Sequence, residues 1–461
     1  MCLAVRVSQS RVRTPFIELG SRGITKNGND SAIREACYVP STASNPSTKP
    51  RNLHASDVRG RSDMASIRLV PARMRAPRFA VGVAVLATAL AVAAFGGSST
   101  SSGSAATVAT AASVSGLPDD FLGIVSNDAF AATGKDRAQI LAGERRTGVE
   151  LLRETFDWAT IEPSRGHYDF GPYDSFMAAT ARAGLQVLPI VFGRPRFEAA
   201  QKPAGGHLTA TTTSPPASLS DFAQFAATLV HRYGPGGTFW RANPKLPVHA
   251  ISSWQIWNEP NLPVYWAGKP SAAGYVAMLA AAARAIRAVD PHAEIVTAGI
   301  PDSTLGIALG PYVSEMLAAG ARGTFDTLAI NPYASSTAGV LAATAAVRSE
   351  LNQAGLKQTP IWLTEIGWAS GGPPSGFTVG SKLQARYVLD TITSLAREAG
   401  SEHIRGIVYF DWRDAPPYPG GQDFWGLHTG LLALNGSGKP ALSAYYQAAG
   451  VLGTLPSQHS H

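Results

Sequence analysis

Residues 254–261 read Trp-Gln-Ile-Trp-Asn-Glu-Pro-Asn, and residues 361–368 read Ile-Trp-Leu-Thr-Glu-Ile-Gly-Trp. Each is an apolar strand that ends in a glutamate with aromatic residues beside it. Six more short runs rich in β-branched residues lie on either side of them: Phe121–Val125, Leu151–Glu154, Gln186–Val191, Glu294–Ala298, Thr327–Ile330 and Gly406–Phe410. With Ser253–Trp257 and Ile361–Thr364 they make eight, and most start about 30–45 residues after the one before, the spacing of repeated strand–helix units. Helical periodicity fills the intervals. Phe222, Phe225, Ala226, Leu229 and Tyr233 form one apolar face, and Tyr275, Met278, Leu279, Ala282 and Ile286 form another, which stops at Asp290-Pro291. Val388, Ile392 and Leu395 form a third, before Gly400. Eight such units predict an α/β chain folded as a single (β/α)8 TIM barrel over residues 117–454. A doubly wound open sheet is the alternative, but no GxGxxG or GxxxxGK[ST] follows the first strand.

Composition narrows the function classes. Of 461 residues, 45% are hydrophobic and 15% charged, enough apolar material for a large core. The formal charge of +7 does not belong to this barrel. Residues 1–97 hold 14 Lys and Arg against 5 Asp and Glu, and the remainder holds 25 against 27. The barrel is therefore slightly acidic, and no nucleic-acid partner is expected. Both cysteines, Cys2 and Cys37, also lie in the first 97 residues, so disulfides, thiolate metal sites and a cysteine nucleophile are excluded from the barrel. The histidines show no HExxH or other ligand spacing and there is no GxSxG, so no metal, no cofactor and no serine triad are expected.

The leader reads as an address. An unbroken apolar run, Phe79–Phe95, follows Arg68, Arg73, Arg75 and Arg78 and precedes a Ser/Thr/Ala-rich stretch, the pattern of an export signal over residues 64–97 with a flexible linker at 98–116. The run's 17 residues also reach the lower limit for a membrane span, so a retained signal is an anchor and a cleaved one leaves a secreted protein. Residues 1–63 are polar and patternless, read as disordered or, with Met64 as the true start, untranslated. Residues 455–461 are a tail.

In a closed barrel the fourth and seventh strands face each other across the mouth, where active sites of this architecture lie. Two carboxyl groups there suit glycosidic-bond cleavage. One must be protonated to give a proton to the leaving oxygen, and the other ionised to attack the anomeric carbon; a separation of about 5 Å marks retention and about 6.5–9.5 Å inversion. Mutual repulsion raises the pKa of the acid.

WQIWNEPN and WLTEIGW resemble the two signature strands of glycoside hydrolase clan A, (β/α)8 retaining glycosidases. The likeness spans Leu117 to Gly450 and is nearest to families 39 and 5. It implies Glu259 as acid/base, Glu365 as nucleophile and Asn258 as a partner of the sugar 2-hydroxyl. Arg153, in LLRETFDW, resembles the arginine beside the nucleophile, and Tyr333, in AINPY, the tyrosine that hydrogen-bonds it. Asn331 stands where many clan members carry histidine. Trp412 resembles the platform on which a sugar ring stacks, and Trp158 and Trp368 are further candidates for the cleft, with Trp257, Trp266 and Trp425 read as cleft lining or core. Asp411, Asp414 and Asp423 are read as turn or capping residues able to bind hydroxyls. The β-sandwich that family 39 xylosidases and iduronidases add is not expected after the helix around Ala441–Ala449. The resemblance implies an exported hydrolase of β-glycosidic bonds in an oligo- or polysaccharide, acting by double displacement. A transglycosylase using the same residues and a non-catalytic carbohydrate-binding barrel are the alternatives.

Overall fold

A computed structural model describes residues 114, 116–198, 213–418 and 421–456, all within one compact unit. The expected signal, residues 1–63, most of the linker, residues 199–212 and 419–420 and the tail beyond 456 lie outside the described residues.

Among the described residues, nine parallel strands form one sheet: β1 (Leu122–Val125), β2 (Leu151–Asp157), β3 (Gln186–Phe192), β4 (Ser253–Ile256), β5 (Glu294–Val296), β6 (Ile300–Pro301), β7 (Leu328–Asn331), β8 (Ile361–Ile366) and β9 (Ile404–Tyr409). Their order is β5-β4-β3-β2-β1-β9-β8-β7-β6. All eight expected strands are present, the fifth in two pieces. β5 pairs with β4 through Ser253–Glu294, Val296 bridges to Thr327, and Ile300 in β6 pairs with Ile330. This interrupted stave joins the two ends of the sheet and closes the barrel.

The interruption has a local cause. Thr297 turns its hydroxyl to accept the amide of Ala329 at 2.8 Å, taking the place of a ladder bond. Gly299 follows, and a Cβ there would overlap the side chains of Asn331 and Thr364. The run expected as Glu294–Ala298 therefore ends as a strand at Val296.

Residues alternate along each strand between the barrel interior and the surrounding helices. Val125, Leu151, Leu188, Val296, Ala329, Trp362 and Val408 fill the interior. Two residues further along their strands, Arg153, Asn331 and Thr364 form a polar layer, which Gln255 joins from β4. In β8 the register slips between Leu363 and Ile366 relative to Ile407 and Tyr409. Three residues there span two on the neighbour, so Thr364 and Glu365 both face inward while Leu363 and Ile366 join the outer core.

The helices follow their sequence signals. Leu219–Tyr233 starts at Ser218, whose hydroxyl accepts the amide of Asp221, and buries the predicted face from Phe222 to Tyr233. Ala272–Val289 is capped in the same way by Ser271 and ends before Pro291. Its Tyr275 donates to the carbonyl of Ile256 at 3.0 Å and accepts the amide of Ala298 at 2.6 Å, tying the ends of the fourth and fifth staves together. The helix bearing Val388, Ile392 and Leu395 runs from Ser381 to Glu402, through the expected stop at Gly400, because it packs along Pro440–Leu452.

Candidate active site

The chain leaves β4 through a turn in which Trp257 and Glu259 both have positive φ, 73° and 45°. A left-handed conformation at a tryptophan and a glutamate costs about 1–3 kcal/mol each and persists only where the surroundings impose it. Here the Trp257 amide donates to Val191 O at 3.0 Å and its indole to Tyr265 O at 2.8 Å, and the Glu259 amide donates to Gly299 O at 3.2 Å. The turn delivers Asn258 and Glu259 together to the barrel mouth.

Opposite them stands Glu365, turned inward by the β8 bulge. Arg153, 1% exposed, lies between the two strands. Its Nη1 donates to Glu365 Oε1 at 2.6 Å, its Nη2 to Asn258 Oδ1 at 2.8 Å and its Nε to Gln255 Oε1 at 2.7 Å. The Tyr333 hydroxyl donates to the other oxygen of Glu365 at 2.6 Å. Asn331 donates to Glu259 Oε1 at 2.9 Å. Asn258 Nδ2 is buried and has no protein partner, which leaves a donor for an oxygen of a bound molecule.

The two glutamates are buried alike, yet their protonation is biased in opposite directions. Burial, reinforced by the charge of Glu365, raises the pKa of Glu259, so it holds its proton at neutral pH. Burial opposes ionisation of Glu365 as well, yet its pKa lies below the ordinary carboxylate range, and among the described residues the Arg153 charge and the bonds from Tyr333 and Arg153 are what lower it. One buried acid and one buried carboxylate thus share one mouth, a pairing suited to proton donation beside nucleophilic attack.

The sequence-predicted residues separate into two groups. Glu259, Glu365, Asn258, Arg153, Tyr333 and Asn331 converge. The three tryptophans assigned to substrate do not. Trp158 is fully buried, stacks at 5.4 Å on Phe225 and donates its indole N–H to Glu162 at 2.6 Å. Trp368 is also fully buried, donates to Ala334 O at 2.7 Å and lies against Tyr387. Trp412 lies beyond the end of β9, where its amide pairs with Val125 O at 3.0 Å and its ring packs outward beside Gly143 on the helix Gly134–Arg146. Phe410, which alternation places inward from Val408, belongs to the interior cluster instead. Trp425 lies edge-on at 5.0 Å to Tyr333, the phenol bonded to Glu365, and against Phe377 at 4.6 Å.

The aspartates keep structural roles: Asp411 accepts from Asn127 at 3.0 Å, Asp414 pairs with Lys439 at 2.7 Å and Asp423 with His428 at 2.8 Å. Two residues with a place in the site were not singled out from sequence, Gln255 and Thr364. Both follow from alternation, since each lies on an inward position of a motif strand. Among the described residues, no group of three or more His, Cys, Asp or Glu side chains could hold a metal ion.

No family model and no curated protein matches the sequence. Solved structures do match. A family 39 glycoside hydrolase from Bacteroides cellulosilyticus WH2 superposes with a TM-score of 0.51 at 19% identity, covering 73% of this chain and 65% of that one, just under two thirds of its length. A family 39 β-xylosidase from Caulobacter crescentus gives 0.53 at 21%, with 72% of each chain covered. A glucosidase from Croceicoccus marinus gives 0.53 at 16%, covering 74% of this chain and 69% of that one. The chain has the TIM-barrel fold of these glycoside hydrolases. At such identities the likeness establishes the architecture, and the chemistry rests on the residues at the mouth.

Proposed function

We propose that this protein is a retaining β-glycosidase of glycoside hydrolase clan A. The observation that carries the reading is the pair of buried glutamates at the ends of the fourth and seventh staves with opposed protonation. In this reading Glu365 attacks the anomeric carbon while Glu259 passes its proton to the departing oxygen, so the glycosidic C–O bond breaks as the C–O bond to Glu365 forms. Esterification removes the charge on Glu365, the pKa of Glu259 falls, and Glu259 then takes a proton from a water that attacks the same carbon and frees Glu365. Asn258, held by Arg153 through its oxygen, offers its free N–H to a hydroxyl beside that carbon. The substrate is a β-linked oligo- or polysaccharide. The apolar run at 79–95 supports export, with the barrel secreted or facing outward from an anchor.

The test is a panel of β-glycosides and polysaccharides given to the protein and to Glu365→Ala. The variant is expected to lose about four or more orders of magnitude in rate and to be partly rescued by azide, giving a glycosyl azide of inverted configuration. An equally slow variant whose product keeps its configuration refutes the role of Glu365.

A further inference from the structure

The polar layer beneath the two carboxyl groups is one continuous chain of hydrogen bonds. From Arg153 it runs through Gln255 Oε1 (2.7 Å), from Gln255 Nε2 to Thr364 Oγ1 (3.4 Å), from Thr364 Oγ1 to Asn331 Oδ1 (2.7 Å) and from Asn331 Nδ2 to Glu259 Oε1 (2.9 Å). Every side chain in it is essentially buried. A guanidinium only donates, so Gln255 must turn its oxygen to Arg153 and its amino group away, where it also donates to Thr297 O at 3.0 Å. The Thr364 hydroxyl accepts from Gln255, and its single hydrogen has two acceptors, Ile330 O at 3.4 Å and Asn331 Oδ1 at 2.7 Å. The shorter contact takes it. Asn331 is then held with its amino group toward Glu259.

We propose that Gln255, Thr364 and Asn331 are positioning residues that place the acid proton of Glu259 on Oε2, the oxygen that Asn331 does not occupy. The assignment rests on the glycosidase reading for its use, but its geometry stands without it. Were Asn331 reversed, its oxygen would face Glu259 and bind the acid proton, leaving none for a departing group. Arg153 thus acts on both carboxyls, keeping Glu365 ionised by contact and directing the proton of Glu259 through three neutral side chains. Gly299 is part of the same device, since a Cβ at that position would occupy the space of Asn331 Oδ1 and Thr364 Oγ1.

The readout is the titration of Glu259 in the whole protein labelled with 13C at glutamate carboxyls, its resonance assigned by loss in Glu259→Gln. Among the described residues, the other ionisable groups acting on Glu259 are Glu365, Arg153, Tyr265 and Tyr333, and Thr364→Val leaves all four in place. Without the hydroxyl, Asn331 is free to reverse and its donation to the carboxylate is lost, so the Glu259 pKa rises by about one unit, while Thr364→Ser leaves it unchanged. On aryl β-glycosides of the sugar the panel identifies, Thr364→Val lowers kcat/KM for the phenyl glycoside about tenfold and leaves kcat/KM for the 2,4-dinitrophenyl glycoside, whose departure needs no proton, within about twofold. If Thr364→Val does not fold, Thr364→Ala, which removes the same hydroxyl, must give the same upward shift. A Glu259 titration unmoved in the variant that folds, or moved equally in Thr364→Ser, overturns the proposal. Failure of every glycoside to react refutes the glycosidase reading instead and leaves the titration to decide the relay.

Discussion

Replacing Arg153 with methionine tests the electrostatic core of the site on stability, free of any assumption about substrate. The side chain is fully buried and makes three bonds, to Glu365, Asn258 and Gln255. Methionine keeps most of the volume and removes the charge. If Glu365 stays ionised, a buried carboxylate deprived of its cation costs about 3–5 kcal/mol. If it takes up a proton instead, holding at neutrality a group that ionises near 4.3 when unfolded costs about 3.7 kcal/mol at about pH 7 and about 1 kcal/mol at about pH 5.

Both routes predict a loss of about 3–5 kcal/mol at neutrality, but only protonation makes it depend on pH. In the native protein Glu365 has a lowered pKa, so its contribution is complete above the unfolded value and is lost only as pH falls through the folded one. In Arg153→Met the folded pKa lies above the unfolded value, so stability falls as pH rises between the two. The protonation route is favoured, because Glu365 is buried and Glu259 stands nearby. Urea unfolding followed by tryptophan fluorescence should therefore show a destabilisation that grows by up to about 2.7 kcal/mol from about pH 5 to about pH 7. A destabilisation below about 1 kcal/mol, or one flat across that interval, would refute the view that Arg153 holds Glu365 ionised.

Two further outcomes follow from the same geometry. The pH–rate profile should be a bell: activity rises with pH as Glu365 ionises below the ordinary carboxylate range and falls as Glu259 loses its proton above it, and Glu259→Gln should abolish the alkaline limb. Trp412→Ala should destabilise the protein by about 3–5 kcal/mol in urea while leaving KM for a glycoside within about twofold, because its ring packs against a helix outside the barrel; a KM raised tenfold or more would return Trp412 to the cleft.

Much of the site was legible because its residues are few and tied to strand ends. Glu259 and Glu365 announce themselves as polar residues closing apolar runs, and Arg153 and Asn331 occupy the corresponding positions of their own strands. Tryptophan was misleading. The same indole serves a cleft wall and a hydrophobic core, and its neighbours in sequence do not distinguish them. Trp158, Trp368 and Trp412 went to packing, whereas Trp425, on a segment without strand or helix periodicity, came to stand beside Tyr333.

The amino-acid order by itself settled the number of staves, the helices between them and the two strands that carry the carboxyls, because these depend on periodicity and on residues close in the chain. Tertiary structure alone decided the break in the fifth stave, the bulge that turns Glu365 inward and the chain from Arg153 to Glu259. Each of these depends on side chains from strands tens of residues apart competing for one small volume or one hydrogen, as Gly299, Asn331 and Thr364 do, and such competition leaves no period in a sequence.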